Sequence, residues 1–238
     1  MKISNLSLDT PLEKTYTALL ISDMHSKIPR DFLKKITAIA PDLILIAGDY
    51  VDGEMKHHPA MLTLLQDLAS LAPTFYATGN HELFDDADRA LIRKTGVTFL
   101  ENETATLDGL RIGGLASGFG HIPHFTKTPP PDLNYLERFS TLDGYKLLIA
   151  HHPEYFADYL RDQAIDLTVS GHAHGGQWRL FSLAAYAPGQ GIFPRYTSGL
   201  YRENNSALIV SRGVGNHTFI PRIFNPTELV VITLQKKA

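Results

Sequence analysis

The chain contains no cysteine, which excludes a disulfide framework and every thiolate metal site. Any metal it binds must be held by His, Asp, Glu or Asn. An excess of charge of one sign is also missing. Lys and Arg number 22 against 25 Asp and Glu, a formal net charge of -3, so electrostatics give no reason to expect a nucleic-acid partner or attraction to an acidic membrane surface. Long apolar runs are lacking as well. The opening MKISNLSLDTPLEKTY has no continuous apolar stretch of the signal-peptide kind, and no later run nears membrane-spanning length. A cytoplasmic protein is the expectation. Internal repeats and low-complexity segments do not stand out.

What is present is an ordinary globular composition, 44% apolar and 20% charged over 238 residues, ample for a buried core and read as a single domain over 1–238. One patch is unusual. HIPHFTKTPPPDLNY, residues 121–135, carries three consecutive prolines that forbid helix and central strand, and it reads as an ordered surface excursion.

Five segments share one pattern, an apolar run that ends abruptly in a metal-ligand residue type. TALLISDMH ends in Asp23 and His25, DLILIAGD in Asp49, TFYATGNH in Asn80 and His81, KLLIAHH in His151 and His152, and DLTVSGHAH in His172 and His174. Each run is short, β-rich and nearly continuous in hydrophobicity, as strands covered on both faces are. Helical patterns lie between them: PRDFLKKITAIA, with Pro29 as a start signal, then HPAMLTLLQDLASLA, DDADRALIRKTG and PEYFADYLRDQ. The alternation is that of an α/β fold, whose ligands bind beyond the carboxyl ends of the strands. All five polar endings fall there, so they can converge on one site.

Carboxylate, amide oxygen and imidazole nitrogen suit Mn, Fe and Zn ions. Seven such groups exceed the needs of one ion but suit two, provided one carboxylate bridges them. Two ions about 3.5–4 Å apart form a template for in-line displacement at phosphorus. Taken singly, each ending has a plainer explanation. Asp-x-His is a frequent tripeptide, Gly-Asp and Gly-Asn-His after a strand are usually turns, and His-His-Pro suits a helix start. A turn rarely needs the two imidazoles of Gly-His-x-His, and it is the joint occurrence at five strand ends that turns alone do not produce.

In these motifs, DMH at 23–25, GDYVD at 48–52, GNHE at 79–82, AHHP at 150–153 and GHAH at 171–174, the sequence resembles the calcineurin-like metallophosphoesterases. GHAHGGQ looks most like a branch of small bacterial phosphodiesterases that carry G-H-[T/A]-H-G-G-Q. Some of that branch are membrane-associated, and one group cleaves the pyrophosphate of a UDP-linked lipid A precursor. A late motif of the branch is echoed in SRGVGNHTFIPRIFNPTE, where Asn225-Pro226-Thr227-Glu228 stands in place of the usual Pro-Pro-Glu.

The resemblance implies a four-layer α/β/β/α sandwich, two central mixed sheets flanked by helices. It implies two divalent metal ions (Mn, Fe or Zn, with Mn favoured): Asp23, His25 and His174 on the first, Asn80, His151 and His172 on the second, and Asp49 bridging both with a water or hydroxide. That hydroxide would attack phosphorus, and His81 would bind the phosphoryl group and assist the leaving oxygen as general acid. The residue chemistry agrees. An i, i+2 pair on extended backbone points both side chains one way, as Asp23/His25 and His172/His174 would. Adjacent Asn80 and His81 would diverge, one toward metal and one toward substrate. The glycines at 48, 79, 171, 175 and 176 would leave room for metal and phosphate.

The expected activity is hydrolysis of a phosphodiester, pyrophosphate or phosphomonoester in a small-molecule phosphate ester substrate, with no protein partner inferred. Two competitors stand beside it: a membrane-surface pyrophosphohydrolase of a UDP-linked lipid A precursor, peripheral to the inner membrane, and a non-catalytic metal-binding scaffold of the same fold. Remaining candidates sit at the margins. Arg222 and His217 are read as substrate-side contacts, and His121 and His124 as residues of the substrate entrance. His57 and His58 read as exposed loop residues, His152 as a neighbour of the ligand His151, and Asp52 and Glu82 as acids that orient metal-bound histidines. Trp178 and Leu180 are expected to start a further strand, and GIFPRY, 191–196, to form an exposed apolar loop that accommodates a lipid or a nucleotide base.

Overall fold

The computed structural model describes residues 1–118, 128–180, 183–216 and 221–237. Along the chain run β1 (Lys2–Thr10), β2 (Tyr16–Ile21), α1 (Phe32–Ile39), β3 (Leu43–Ala47), α2 (Pro59–Leu71), β4 (Thr74–Ala77), α3 (Asp86–Arg93) and β5 (Thr98–Phe99). Then follow β6 (Glu103–Leu107), β7 (Leu110–Leu115), α4 (Leu133–Ser140), β8 (Tyr145–Ala150) and β9 (Leu167–Ser170). Four two-residue strands come next: β10 (Arg179–Leu180), β11 (Leu183–Ala184), β12 (Tyr186–Ala187) and β13 (Gly191–Ile192). The chain closes with β14 (Gly199–Glu203), β15 (Ser206–Val210) and β16 (Glu228–Lys236).

Two six-stranded mixed sheets carry the fold, in the orders β1-β16-β2-β3-β4-β5 and β14-β15-β9-β8-β7-β6. In the first, β2 to β5 are parallel and β16 runs antiparallel to β2. In the second, β7, β8, β9 and β15 are parallel and both edge strands are antiparallel. The apolar runs are continuous because successive residues serve different cores. Leu20 and Leu45 pack between the sheets with Ile112, Leu147, Val169 and Ile209. Their chain neighbours Leu19, Ile21, Ile44 and Ile46 pack with Ile36 of α1, Leu65 and Leu68 of α2 and Ile92 of α3. On the far side Leu148 and Leu208 meet Leu136 and Phe139 of α4 and Phe156. The result is the expected α/β/β/α order of layers.

Three of the four expected helices form. Pro59 opens α2 at its first turn, and α3 begins on a reciprocal capping box between Asp85 and Asp88. The fourth, PEYFADYLRDQ, gives only a short π-type turn, Phe156–Leu160, in which the Arg161 amide reaches back to the Phe156 carbonyl at 2.9 Å. The wider turn lets Phe156 and Leu160 both press on the second sheet. A helix that the prolines masked in the sequence forms at the end of the proline-rich patch, where Asp132 caps α4 by accepting from the Tyr135 amide at 2.9 Å. His121 and His124 lie outside the described residues. Leu180 stands in the next strand, β10, with Trp178 just before it; among the described residues β10 pairs with β11, outside the two large sheets.

Candidate metal centre

The seven candidate ligands all stand just past the carboxyl ends of β2, β3, β4, β8 and β9, so both sheets contribute to one site. The backbone there is strained. Asp23, His25, Asp49, His172 and His174 all have positive φ, between 46° and 63°, a region non-glycine residues seldom occupy. This corrects the expectation of extended i, i+2 pairs: the chain leaves β2, β3 and β9 through left-handed residues, and the side chains converge from there. Hydrogen bonds between strand ends hold them so. The Asp23 amide donates to Gly48 O at 3.0 Å and the His25 amide to Asp49 O at 3.0 Å. The His172 amide donates to Asp23 Oδ1 at 2.9 Å, and the His81 amide to Asp49 Oδ1 at 2.9 Å.

The glycines make this lacing sterically possible. A Cβ on Gly79 would collide with the Asp49 carboxylate, and one on Gly48 would come within 2.6 Å of His151 Nδ1. Cβ atoms on Gly175 and Gly176 would collide with Asn225 and Ala184. The room expected for metal and phosphate is filled at these positions by the protein's own side chains.

Among the described residues four donor groups emerge, of which His25, Asp49 and His81 make one and His152, Glu154 and His172 another; the remaining two hold most of the expected ligands. Donor atoms of Asp23, His25 and His174 lie within 4.8 Å of one another, and so do those of Asp49, His151 and His172. Asp49 stands between the groups, with Oδ2 3.1 Å from His151 Nε2 and 3.9 Å from His25 Nε2. Asn80 Oδ1 lies 3.1 Å from the same His151 nitrogen. The Nε2 atoms of His25 and His174 face each other at 3.3 Å, and Asp23 Oδ2 is buried without a hydrogen-bond partner among the described residues. Imidazole nitrogens, carboxylates and an amide oxygen crowded into a buried space with an orphaned carboxylate oxygen are a donor set that fits divalent cations.

The outer nitrogens are also engaged. His151 Nδ1 lies 2.8 Å from Ala47 O, and His25 Nδ1 lies 2.8 Å from Asp52 Oδ1. Acceptors there turn each Nε2 inward as a lone-pair donor. Asp52 Oδ1 is also 3.6 Å from His81 Nδ1, so one carboxylate lies beside a candidate ligand and the candidate acid. Glu82 is buried beneath the loops, accepting from the amides of Tyr50 and Gly79 and from the Tyr76 hydroxyl. Burial, aided by the Asp49 charge, pushes its carboxyl up to about 7. Burial lowers His151, but Asp49 outweighs it and lifts the imidazole to about 10. His25 is raised in the same way against its burial by Asp52, Asp49 and Asp23. Burial also opposes ionisation of Asp49, yet the charges of His151, His25 and His81 bring it well below the ordinary carboxylate range. His172 and His174 are held well down, first by burial.

The marginal candidates divide. His57 is exposed, whereas His58 is half-buried with Nε2 2.9 Å from Asp52 O. His152 is fully buried. Arg222 sits on the outer side of His174, 3.0 Å from its Nδ1, and donates to Arg212 O at 2.6 Å and to Gly215 O. Its guanidinium is thus engaged in bracing the loop behind His174. His217 lies outside the described residues. Beyond Gln177, Trp178, Leu180, Leu183, Phe193, Ile223 and Phe224 are all exposed and line a cleft of about 370 Å³. This apolar surface is bolted to the site: Arg179 donates to Gly175 O at 2.8 Å and Asn225 to His174 O at 2.7 Å.

The family model for calcineurin-like phosphoesterases matches residues 16–176. An uncharacterized metallophosphoesterase of Helicobacter pylori is 28% identical over 95% of this chain and 61% of its own length. The phosphodiesterase YaeI of Escherichia coli is 28% identical over 84% of this chain and 76% of its own. This chain therefore spans about three fifths of the Helicobacter protein. Among solved structures, the sulfate thiohydrolase SoxB of Thermus thermophilus superposes with a TM-score of 0.53 at 13% identity, over 96% of this chain and 58% of its own, a likeness of fold.

Proposed function

The chain belongs to the calcineurin-like phosphoesterase family, and from that premise we propose that it is a dinuclear metal-dependent phosphoesterase acting on phosphodiester bonds. The observation that carries the reading is Asp49, whose carboxylate stands between two donor groups, each drawn from both sheets. Asp23, His25 and His174 would hold one ion, Asn80, His151 and His172 the other, with Asp49 shared; Mn²⁺ is the favoured ion. Bound there, two divalent cations neutralise charge developing on phosphoryl oxygens and bring the pKa of a water near neutrality.

The protein's own residues do the rest. Ala47 O and Asp52 fix the inward nitrogens of His151 and His25. His81 presents a partly exposed imidazole within reach of Asp49 and His25, and Asp52 Oδ1 lies 3.6 Å from its Nδ1, beside the ring that would donate a proton to the leaving oxygen. No serine or cysteine nucleophile is required. The test is hydrolysis of bis-p-nitrophenyl phosphate by the Mn²⁺-loaded protein; failure on both diester and monoester model substrates sinks the reading.

A second reading concerns where the substrate lies. The exposed apolar cleft begins four residues after His174, so a substrate with an acyl chain, such as a UDP-linked lipid precursor, could place its phosphate at the centre and its chain on that face at a membrane surface. Among the described residues no helix is long and apolar enough to cross a membrane, so any contact made by them through helices is peripheral. Co-sedimentation with anionic liposomes that Leu183→Ser/Phe193→Ser loses supports this reading; equal behaviour of the two proteins removes it.

A further inference from the structure

Glu154 stands one proline away from the His151-His152 pair and has no part in the reaction proposed above. Its side chain is 11% exposed. Oε1 accepts from Thr128 Oγ1 at 2.6 Å, and Oε2 is buried with no hydrogen-bond partner among the described residues. Two imidazoles flank this carboxylate. His152 Nδ1 lies 3.6 Å and His172 Nε2 3.9 Å from Oε1, and the two rings meet edge to face with centroids 4.5 Å apart. Donor atoms of all three residues lie within 4.8 Å of one another.

Those separations are too long for hydrogen bonds, yet they approach the spacing of two ligands on one ion. Donors at roughly 2.0–2.2 Å from a tetrahedral cation stand about 3.4 Å apart. A buried carboxylate whose one hydrogen-bond partner among the described residues is a neutral hydroxyl also calls for a cation. The loop above closes on it. Gly189, at φ 71°, passes so near that a Cβ would collide with Glu154 Oε1 and come within 3.0 Å of Thr128 Oγ1.

We propose that His152, Glu154 and His172 form a third divalent-cation site, suited to Zn²⁺, beside the dinuclear centre. Two imidazole nitrogens and a carboxylate are a common protein donor set for zinc, with a fourth position left to water. His172 also belongs to the group of Asp49 and His151, so the third ion abuts the pair through one ring. Serving an ion on each side requires that ring to release its N–H proton to solvent. This ion therefore binds last and leaves first.

The inference goes beyond the phosphoesterase reading and can fail separately from it. The full chain, stripped with chelator and titrated with Zn²⁺, is desalted, and bound zinc is counted by mass spectrometry. Wild type is expected to carry one ion more than Glu154→Gln, and one more than His152→Asn, each checked for native circular dichroism. Asp49→Asn is expected to lose the pair but keep an ion that Asp49→Asn/Glu154→Gln lacks. Equal zinc in wild type and in both single variants overturns the site. So does loss of two ions in Glu154→Gln, which would make Glu154 a support of the pair acting through His172. If Asp49→Asn binds as much zinc as wild type, the dinuclear reading fails while the third site stands or falls on the Glu154 comparison.

Discussion

The strand ends that build the candidate metal centre and the segment that follows the last of them, 178–193, are constructed in opposite ways. At the strand ends, buried polar side chains sit largely on strained backbone, and the amides of Asp23, His25, His81 and His172 are tied to neighbouring strand ends. Among the described residues of 178–193 the strands are two residues long, pair as β10 with β11 and β12 with β13, and turn large apolar side chains to the outside. The first region leaves no space for an added Cβ at Gly79. The second is held at its root by Arg179 and Asn225. Chemistry at phosphorus demands the first kind of region, and recognition of whatever the phosphate is attached to suits the second.

The sharpest test of this contrast is Asp49→Asn. It leaves the shape nearly unchanged but removes the shared charge. It is expected to abolish binding of both ions of the pair and hydrolysis of bis-p-nitrophenyl phosphate, as read by metal analysis and initial rates. Next in size is His81→Ala, expected to lower kcat by roughly 10²–10⁴-fold while two ions per chain remain. If metal is lost with activity, His81 belongs to the ligand set rather than to the substrate side.

Smaller, and a matter of stability rather than rate, is the effect of Glu82. Its carboxyl is raised to about 7 from an ordinary 4.5, so the folded state prefers the protonated acid. The metal-free protein therefore has this contribution in full below about 4.5 and loses it as pH rises through about 7, by on the order of 3 kcal/mol. Urea unfolding across that window should show the loss in wild type and not in Glu82→Gln, which keeps the neutral form; matching slopes would show that the carboxylate is not strained by burial. Smallest is Phe193→Ser, for which a change within about 0.5 kcal/mol is expected because its side chain is exposed. A larger loss in thermal unfolding would mean that the hairpins are part of the packed fold.

Much of this contrast was legible in the chain itself. Runs such as LILIA before Asp49 have no polar face, so they had to be strands covered on both sides, and residues that interrupt such runs had to lie at their ends. The Asx-type cap of α4 was hidden because the prolines before it drew attention to what could not form. The turn at Phe156 looked helical because Phe156 and Leu160 share the i, i+4 spacing of a helix, and the backbone bond that widens it leaves no trace in composition. Glu154 had no signal at all. A lone Glu after His-His-Pro becomes notable only when Thr128, Gly189 and His172 close around it.

The sequence by itself determined which residue types stand at the strand ends and in what order, and therefore the family, the layers of the fold and the class of donor available to a metal. Only the tertiary structure decided which donors meet. β2, β3 and β4 belong to one sheet and β8 and β9 to the other, and the grouping of Asp23 and His25 with His174, and of Asp49 with His151 and His172, arises where the two sheets face each other. Local sequence sets the direction in which a chain leaves its strand, but the distance between two strand ends is set by the side chains packed between the sheets beneath them.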